Sequence, residues 1–215
     1  MTRFVIVSFG DEYLKYKNAL VKSIKQNVKK HEIVDIELPP LRKSDLQKAN
    51  YIKLKEWAKH IKGNTVLIDA DTIVLNDISE VFDMTNDLIY TKRYLNKNID
   101  FNSGVVFVKE SGLHIINKWV EIDRQLYESK ALLRRWQRKY FGFNQASFGC
   151  LLETNKDFNI GHVPTAIYNN CDNPDWVKNH AIAKIVHVKS TLRKSVNAGR
   201  NLFPDIEKRI LKYYS

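Results

Sequence analysis

The first third of the chain alternates apolar runs typical of strands with amphipathic stretches typical of helices. The strand-like runs are residues 4–9, 33–38 and 65–68, and helices are predicted over about 14–28 and 43–61. Repeated strand–helix alternation favours an α/β fold, with a Rossmann-like, mostly parallel sheet flanked by helices. In such sheets, ligands bind beyond the carboxyl ends of the strands.

The third predicted strand ends in Asp69-Ala70-Asp71. Positions two apart on a strand face the same way, so both carboxylates are expected to point together from its end. Close carboxylates repel each other, and Mn²⁺ or Mg²⁺ would neutralise them while keeping coordination positions for phosphate oxygens. The alternative is a polar turn in which Asp71 or Asp77 caps a helix. The apolar runs on both sides of the pair favour the metal interpretation.

Further elements follow along the rest of the chain, without a repeat or a linker, and we expect a single domain over residues 1–215. Strands are predicted at 88–90, 105–108, 160–168 and 183–188, and helices at 113–127, 144–152 and 205–214. Asn102, Ser103 and Gly104 precede one strand and offer hydrogen bonds and close backbone approach, although a plain turn is the preferred interpretation of these residues alone.

His187 lies within the last predicted strand, in the sequence Ile185-Val186-His187-Val188. A single histidine among apolar residues is more often structural than a ligand. Lys189, Arg193 and Lys194 follow it, however, and such cations suit a metal that carries a diphosphate. An imidazole with two carboxylates is a reasonable ligand set for Mn²⁺.

Composition limits the partners and the location of the protein. The formal net charge of +11 indicates attraction to polyanions, and residues 130–139 form a basic amphipathic run that suits an anionic membrane surface or an acidic partner. No apolar run approaches the roughly 20 residues of a membrane span. With two cysteines and no signal-peptide pattern, the sequence predicts a cytoplasmic protein in a reducing compartment.

Six stretches between Phe4 and Lys194 carry a family resemblance through their order and spacing: VSFGDEY, the helix that contains Lys53, LIDADTIVLNDISEVF, FNSGVVFV, FNQASFG and VHVKSTLRK. Together they resemble the retaining glycosyltransferases of the glycogenin and bacterial galactosyltransferase type, which have the GT-A fold. Within this type, the chain looks like the N-terminal domain of a chlorella-virus-encoded glycosyltransferase, for which the location would be the host cytoplasm.

The resemblance implies a UDP-sugar donor, a glycan acceptor and no nucleic-acid partner. It implies that Asp69, Asp71 and His187 bind Mn²⁺ or Mg²⁺, which holds the diphosphate. The remaining donor-site residues that it implies are Ser8 and Tyr13 at the uracil, Lys53 on the helix before the Asp-x-Asp strand, and Asn102 and Ser103 along the donor sugar.

Two departures from the family pattern affect the implied mechanism. The late motif His-x-x-Gly-x-x-Lys reads His187, Ser190 and Arg193 here, so the cation is kept while the glycine is replaced. Asn144-Gln145 stands where the family often has Asp-Gln, and an amide cannot act as a carboxylate nucleophile. Departure and attack on one face of the sugar are therefore favoured over a covalent intermediate.

The charge that develops during transfer suggests roles for the basic and amide side chains. Negative charge grows on the departing diphosphate, where Lys189, Arg193 or Lys194 would stabilise it. Asn102, Asn144 and Gln145 would orient the sugar and the acceptor.

Two other interpretations are open. The run TVLIDADTIV resembles haloacid-dehalogenase-type phosphatases, but that family usually has a threonine where this chain has Ile73. A basic polyanion-binding module would account for the charge and leave the aspartate pair unexplained.

Overall fold

The central sheet has the predicted α/β, mostly parallel architecture. The structure, a computed structural model, describes residues 1–42, 45–93 and 101–214. The strands are β1 Thr2–Phe9, β2 His31–Leu38, β3 Asn64–Asp69, β4 Thr72–Val74, β5 Leu88–Lys92, β6 Phe101–Lys109, β7 Ile160–Pro164 and β8 Ile185–His187. Within the described ranges, six of them pair in the order β2-β1-β3-β6-β5-β7, and β6 runs antiparallel to both of its neighbours. A separate antiparallel pair joins β4 to β8.

Helices cover both faces of this sheet, as the alternating pattern predicts. They are α1 Leu14–Asn27, α2 Leu46–Lys59, α3 Leu113–Glu128, α4 Lys130–Tyr140, α5 Phe143–Thr154, α6 Thr165–Tyr168, α7 Asn173–Lys178, α8 Ser190–Ala198 and α9 Pro204–Ile210. Short 3-10 turns lie at Asp11–Tyr13, Ser79–Asp83, Glu110–Gly112 and Leu211–Tyr213. No helix in the described ranges is long and apolar enough to cross a membrane.

Strand β1 shows how the core is divided between the two faces. Val5 and Val7 pack towards α2, α3 and α5, whereas Phe4 and Ile6 pack towards α1. Alternate residues of a strand point to opposite faces, so a strand covered on both sides needs a continuous apolar run. This explains why the strand-like runs of the sequence contain so few polar residues.

Three expectations about local structure are wrong or incomplete. The predicted strand 160–168 ends at Pro164 and continues as α6, since proline lacks the N–H for the strand ladder and suits a helix start. Asn102, Ser103 and Gly104 lie inside β6 instead of forming a turn. The helix predicted from residue 43 is observed as Leu46–Lys59, and residues 43 and 44 lie outside the described ranges.

Candidate active site

Strand pairing brings Asp69, Asp71 and His187 together at the carboxyl edge of the sheet. Asp69 ends β3, and β4 pairs with β8 so that Thr72 lies opposite His187. The His187 Nε2 atom is 3.1 Å from Asp71 Oδ1 and 3.9 Å from Asp69 Oδ2. One ligand atom from each of the three residues falls within 4.8 Å of the others, which fits a single metal ion.

The outer oxygen of each carboxylate is paired with a cation. Lys53 Nζ lies 2.7 Å from Asp69 Oδ1, and the Arg193 guanidinium donates to Asp71 Oδ2. The inner oxygens, Asp69 Oδ2 and Asp71 Oδ1, face His187. Two carboxylates and two cations balance each other, so with a neutral His187 the site has no net charge before any metal or diphosphate enters it.

The same contacts keep Asp71 ionised. Burial by itself would raise the pKa of this carboxyl group, whose residue is 8% exposed. The charge and hydrogen bond of His187 and the charge of Arg193 outweigh burial, and the pKa of Asp71 falls to about 2. Asp71 is therefore available as an anionic ligand at any ordinary pH.

A buried amide orients the imidazole. His187 Nδ1 lies 3.2 Å from Oδ1 of Asn169, and Asn169 Nδ2 donates to Thr91 Oγ1 and to Asn102 Oδ1, each at 3.0 Å. When Nδ1–H donates to Asn169, the lone pair of Nε2 points at the two carboxylates, as a metal ligand requires. Sequence reasoning missed Asn169, because its loop carries no motif that marks it.

The surroundings of Gly104 explain why the FNSG stretch ends in a glycine. A Cβ atom at this position would lie 2.5 Å from His187 Cε1 and 2.8 Å from Asp69 Oδ2. The Asn102 side chain accepts a hydrogen bond of 2.8 Å from the Gly104 N–H and so fixes this part of β6. Strand β6 can approach the ligand cluster only because residue 104 has no side chain.

The donor atoms suit the metal that the sequence predicts. Two carboxylate oxygens and one imidazole nitrogen are hard or borderline ligands, and they are the types that Mn²⁺ and Mg²⁺ accept in proteins. Asp69 and Asp71 also line the neighbouring cleft.

Ser8 and Tyr13 line a first cleft together with Asp69 and Asp71. The cleft has a volume of about 200 Å³, and its walls are Val7, Ser8, Phe9, Tyr13, Asp69, Ala70 and Asp71. The Arg193 guanidinium lies 5.4 Å from the centroid of the Tyr13 ring. The cleft thus combines an aromatic ring with two carboxylates, and a guanidinium lies beside the ring.

A second cleft adjoins the first through Phe9. It has a volume of about 180 Å³ and is lined by Phe9, Ala49, Asn50, Lys53, Phe143 and Asn144. Asn144 therefore faces the same region as Lys53. Gln145 is the next residue of α5, and a Cβ atom on Gly142 would lie 3.0 Å from its Oε1.

The other predicted site residues are less closely tied to the cluster. Ser103 is buried in β6 beside Asn102 and Gly104. Lys194 is exposed on α8. Lys189 is close enough to Cys171 for its charge to lower the pKa of that thiol, which burial raises more strongly.

Comparison with known proteins identifies the fold. No protein-family model matches the chain, and no curated protein sequence matches it. A glycosyltransferase involved in glycosylation of the major capsid of PBCV-1 aligns with a TM-score of 0.68 at 14% identity, over 90% of this chain and 96% of that one. The galactosyltransferase LgtC, solved with donor and acceptor sugar analogs, aligns with a TM-score of 0.58 at 12% identity, over 97% of this chain and 96% of its own.

A third neighbour, the bifunctional glycosyltransferase WbbM, aligns with a TM-score of 0.62 at 16% identity. The alignment covers 99% of this chain and 51% of WbbM, so the chain spans about half of that protein. At these identities, the similarities establish the architecture. The chain has the α/β GT-A fold of glycosyltransferases.

Proposed function

We propose that this chain is a metal-dependent glycosyltransferase that moves a sugar from a UDP-sugar to a hydroxyl group of a glycan acceptor, with retention of configuration. The observation that carries this proposal is the convergence of Asp69, Asp71 and His187 at the carboxyl edge of a GT-A sheet. The cleft beside them, with Ser8 and Tyr13, supports a nucleotide donor.

The inner oxygens of Asp69 and Asp71 and the Nε2 atom of His187 would hold Mn²⁺ or Mg²⁺. When bound, the ion supplies charge stabilisation to the diphosphate leaving group. Arg193 adds a fixed cation that can grip phosphate oxygens in a fork. Its position between Asp71 and the Tyr13 ring supports a contact with the diphosphate of a nucleotide whose base lies against Tyr13.

The reaction breaks the bond between the anomeric carbon and a diphosphate oxygen, and it forms a bond from that carbon to the acceptor oxygen. The acceptor proton passes to the departing diphosphate oxygen, and UDP is released carrying that proton. Asn144, beside Lys53 in the second cleft, and Gln145 would orient the sugar and the acceptor. Since Asn144 is an amide, we assign attack to the face that the diphosphate leaves.

The phosphatase alternative fits the observed contacts less well. The position of the family's threonine is Ile73, which is fully buried in β4. We therefore favour nucleotide-dependent transfer.

We also propose that residues 1–215 form one glycosyltransferase domain. The PBCV-1 glycosyltransferase is matched over nearly its full length, which supports residues 1–215 as one glycosyltransferase domain. The same neighbour supports the resemblance to the N-terminal domain of a chlorella-virus-encoded enzyme, and we propose that relationship on the shared fold and the quoted motifs.

Calorimetric titration with UDP, in the presence and absence of Mn²⁺, tests the proposal. We expect binding that requires metal in the wild type and is lost in Asp71→Ala. Asp77→Ala is the matched control, since Asp77 is exposed and lies outside the cluster. UDP binding that is absent under both conditions, or that persists unchanged in Asp71→Ala, would contradict the proposal.

A further inference from the structure

Helix α4 has an exposed face that is entirely basic in its charged residues. Its sequence, KALLRRWQRKY, contains no acidic residue. The side towards the protein is apolar, with Leu133 buried and Leu132 and Trp136 packed against the core. The solvent side carries the exposed cations Lys130, Arg134, Arg135, Arg138 and Lys139.

The neighbouring helix α3 neutralises its own cations, whereas α4 does not. On α3, Lys118 pairs with Glu121 at 2.8 Å and Arg124 with Glu128 at 3.0 Å. On α4, Lys139 pairs with Glu153 of α5.

For the other four cations of α4, the described ranges of the chain contain no ion pair. Lys130, Arg134 and Arg138 follow one another at intervals of four residues, so like charges are neighbours on the helix surface. Repulsion of this kind is relieved when an external anionic surface lies against the helix. We name Lys130, Arg134, Arg135 and Arg138 the basic face.

The end of α4 adds an apolar contact to the basic face. Phe141 follows the helix with φ of 46°, an unusual backbone conformation for a residue with a side chain, and it is 55% exposed. An aromatic ring next to a row of cations is the composition of segments that lie at a membrane interface. The helix rises 1.5 Å per residue, so residues 130–141 present a strip of about 16 Å.

We infer that the basic face and Phe141 dock this protein on an anionic phospholipid surface. The strip is positive and complementary to the lipid headgroups, and its apolar side is already committed to the protein core. The contact is therefore electrostatic, with Phe141 as its single apolar anchor. Anionic lipids face the cytoplasm, which is the location that the sequence predicts.

The strip lies next to the second cleft, so docking would serve sugar transfer; this step rests on the proposed function. Phe141 is followed by Gly142 and then by Phe143 and Asn144, which line the second cleft beside Lys53. A protein docked through α4 would hold this cleft close to the lipid surface. Acceptor glycans carried on lipids would then reach the cleft without leaving the membrane.

Sedimentation with vesicles tests the docking. The probes are vesicles of phosphatidylcholine alone and vesicles that also contain phosphatidylserine. We expect the wild type to bind only the anionic vesicles and to be released by salt. The triple variant Arg134→Gln/Arg135→Gln/Arg138→Gln should bind about a hundredfold more weakly, since each cation near an anionic surface contributes about fivefold.

A matched control removes the same charge elsewhere. Lys25, Lys29 and Lys30 are exposed at the end of α1 and just beyond it, and their triple change to Gln should leave vesicle binding nearly unchanged. An equal loss in this control would show that net charge, and not α4, binds the vesicles, and it would overturn the inference. Phe141→Ser, which leaves the charge unchanged, should also weaken vesicle binding relative to the wild type.

Two more measurements separate the possible failures. Circular dichroism and Mn²⁺-dependent UDP binding should be unchanged in the α4 variant, so a loss of vesicle binding is not a loss of fold or of the active site. If the wild type ignores anionic vesicles but binds an RNA oligonucleotide through α4, the lipid assignment is wrong. Vesicle binding by a protein that fails to bind UDP would uphold the docking while contradicting the proposed function.

Discussion

Each carboxylate of the candidate metal site uses its two oxygens differently. The inner oxygens face His187, and the outer ones are held by Lys53 and Arg193. With its carboxylates balanced by Lys53 and Arg193, the cluster attracts a free divalent cation weakly, whether or not His187 is protonated, and a diphosphate would restore the negative charge that favours the ion. The two basic side chains thus couple metal binding to nucleotide binding in the proposed enzyme.

Arg193→Gln tests this coupling. Without its charge, we expect Mn²⁺ alone to bind about tenfold more tightly and UDP in the presence of Mn²⁺ to bind about tenfold more weakly, because attraction to the metal rises while that to the diphosphate falls. Both constants follow from calorimetry. Arg200→Gln, which removes an exposed cation just beyond the end of the same helix, is the control. Weaker Mn²⁺ binding by Arg193→Gln would contradict the counter-cation role.

At the scale of elements, the sequence predicts the individual strands of the sheet better than it predicts the contacts between separate parts of the chain. The β1 and β3 runs are apolar, and β2 alternates apolar with acidic residues, so periodicity is sufficient to find these three strands. The β4–β8 pairing that places His187 beside Asp71 joins residues more than a hundred positions apart, and no local pattern encodes it. Asn169 was not predicted as a site residue for the same reason, since its role depends on a tertiary contact with His187.

Strand β6 is the element whose approach to the site can be tested directly. In Gly104→Ala, the new Cβ atom would meet His187 and Asp69, and the strand or the ligands must move. We expect metal-dependent UDP binding to fall at least tenfold and the free energy of unfolding to fall by about 1–3 kcal/mol. Calorimetry and urea denaturation measure the two effects.

The matched control for β6 is Val105→Ala, one residue further along. It lowers stability by emptying space in the core, because Val105 is fully buried, and it places no atom near the ligands. UDP binding should survive in this variant. Equal losses of UDP binding in both variants would show that Gly104 matters only for stability.

At the scale of the whole molecule, the ion pairs of the site tie its chemistry to the stability of the metal-free fold. The pKa of Asp71 is lowered from 3.8 to about 2 in the folded protein. A depressed pKa of a carboxyl group stabilises the folded state above the unfolded pKa, and this contribution disappears as the pH falls through the folded pKa. The contribution is on the order of 2 kcal/mol.

Urea denaturation of the metal-free protein between pH 7 and about pH 2 tests this linkage. Asp71→Asn should be less stable than the wild type at neutral pH, and the difference should shrink from about pH 4 downwards as Asp71 of the wild type becomes protonated. The exposed Asp77→Asn should show no such convergence. A difference for Asp71→Asn that stays constant down to the acid limit would mean that the lost contacts are independent of charge. In that case, the ion pairs with His187 and Arg193 would not be what holds β4, β8 and α8 together at the edge of the sheet.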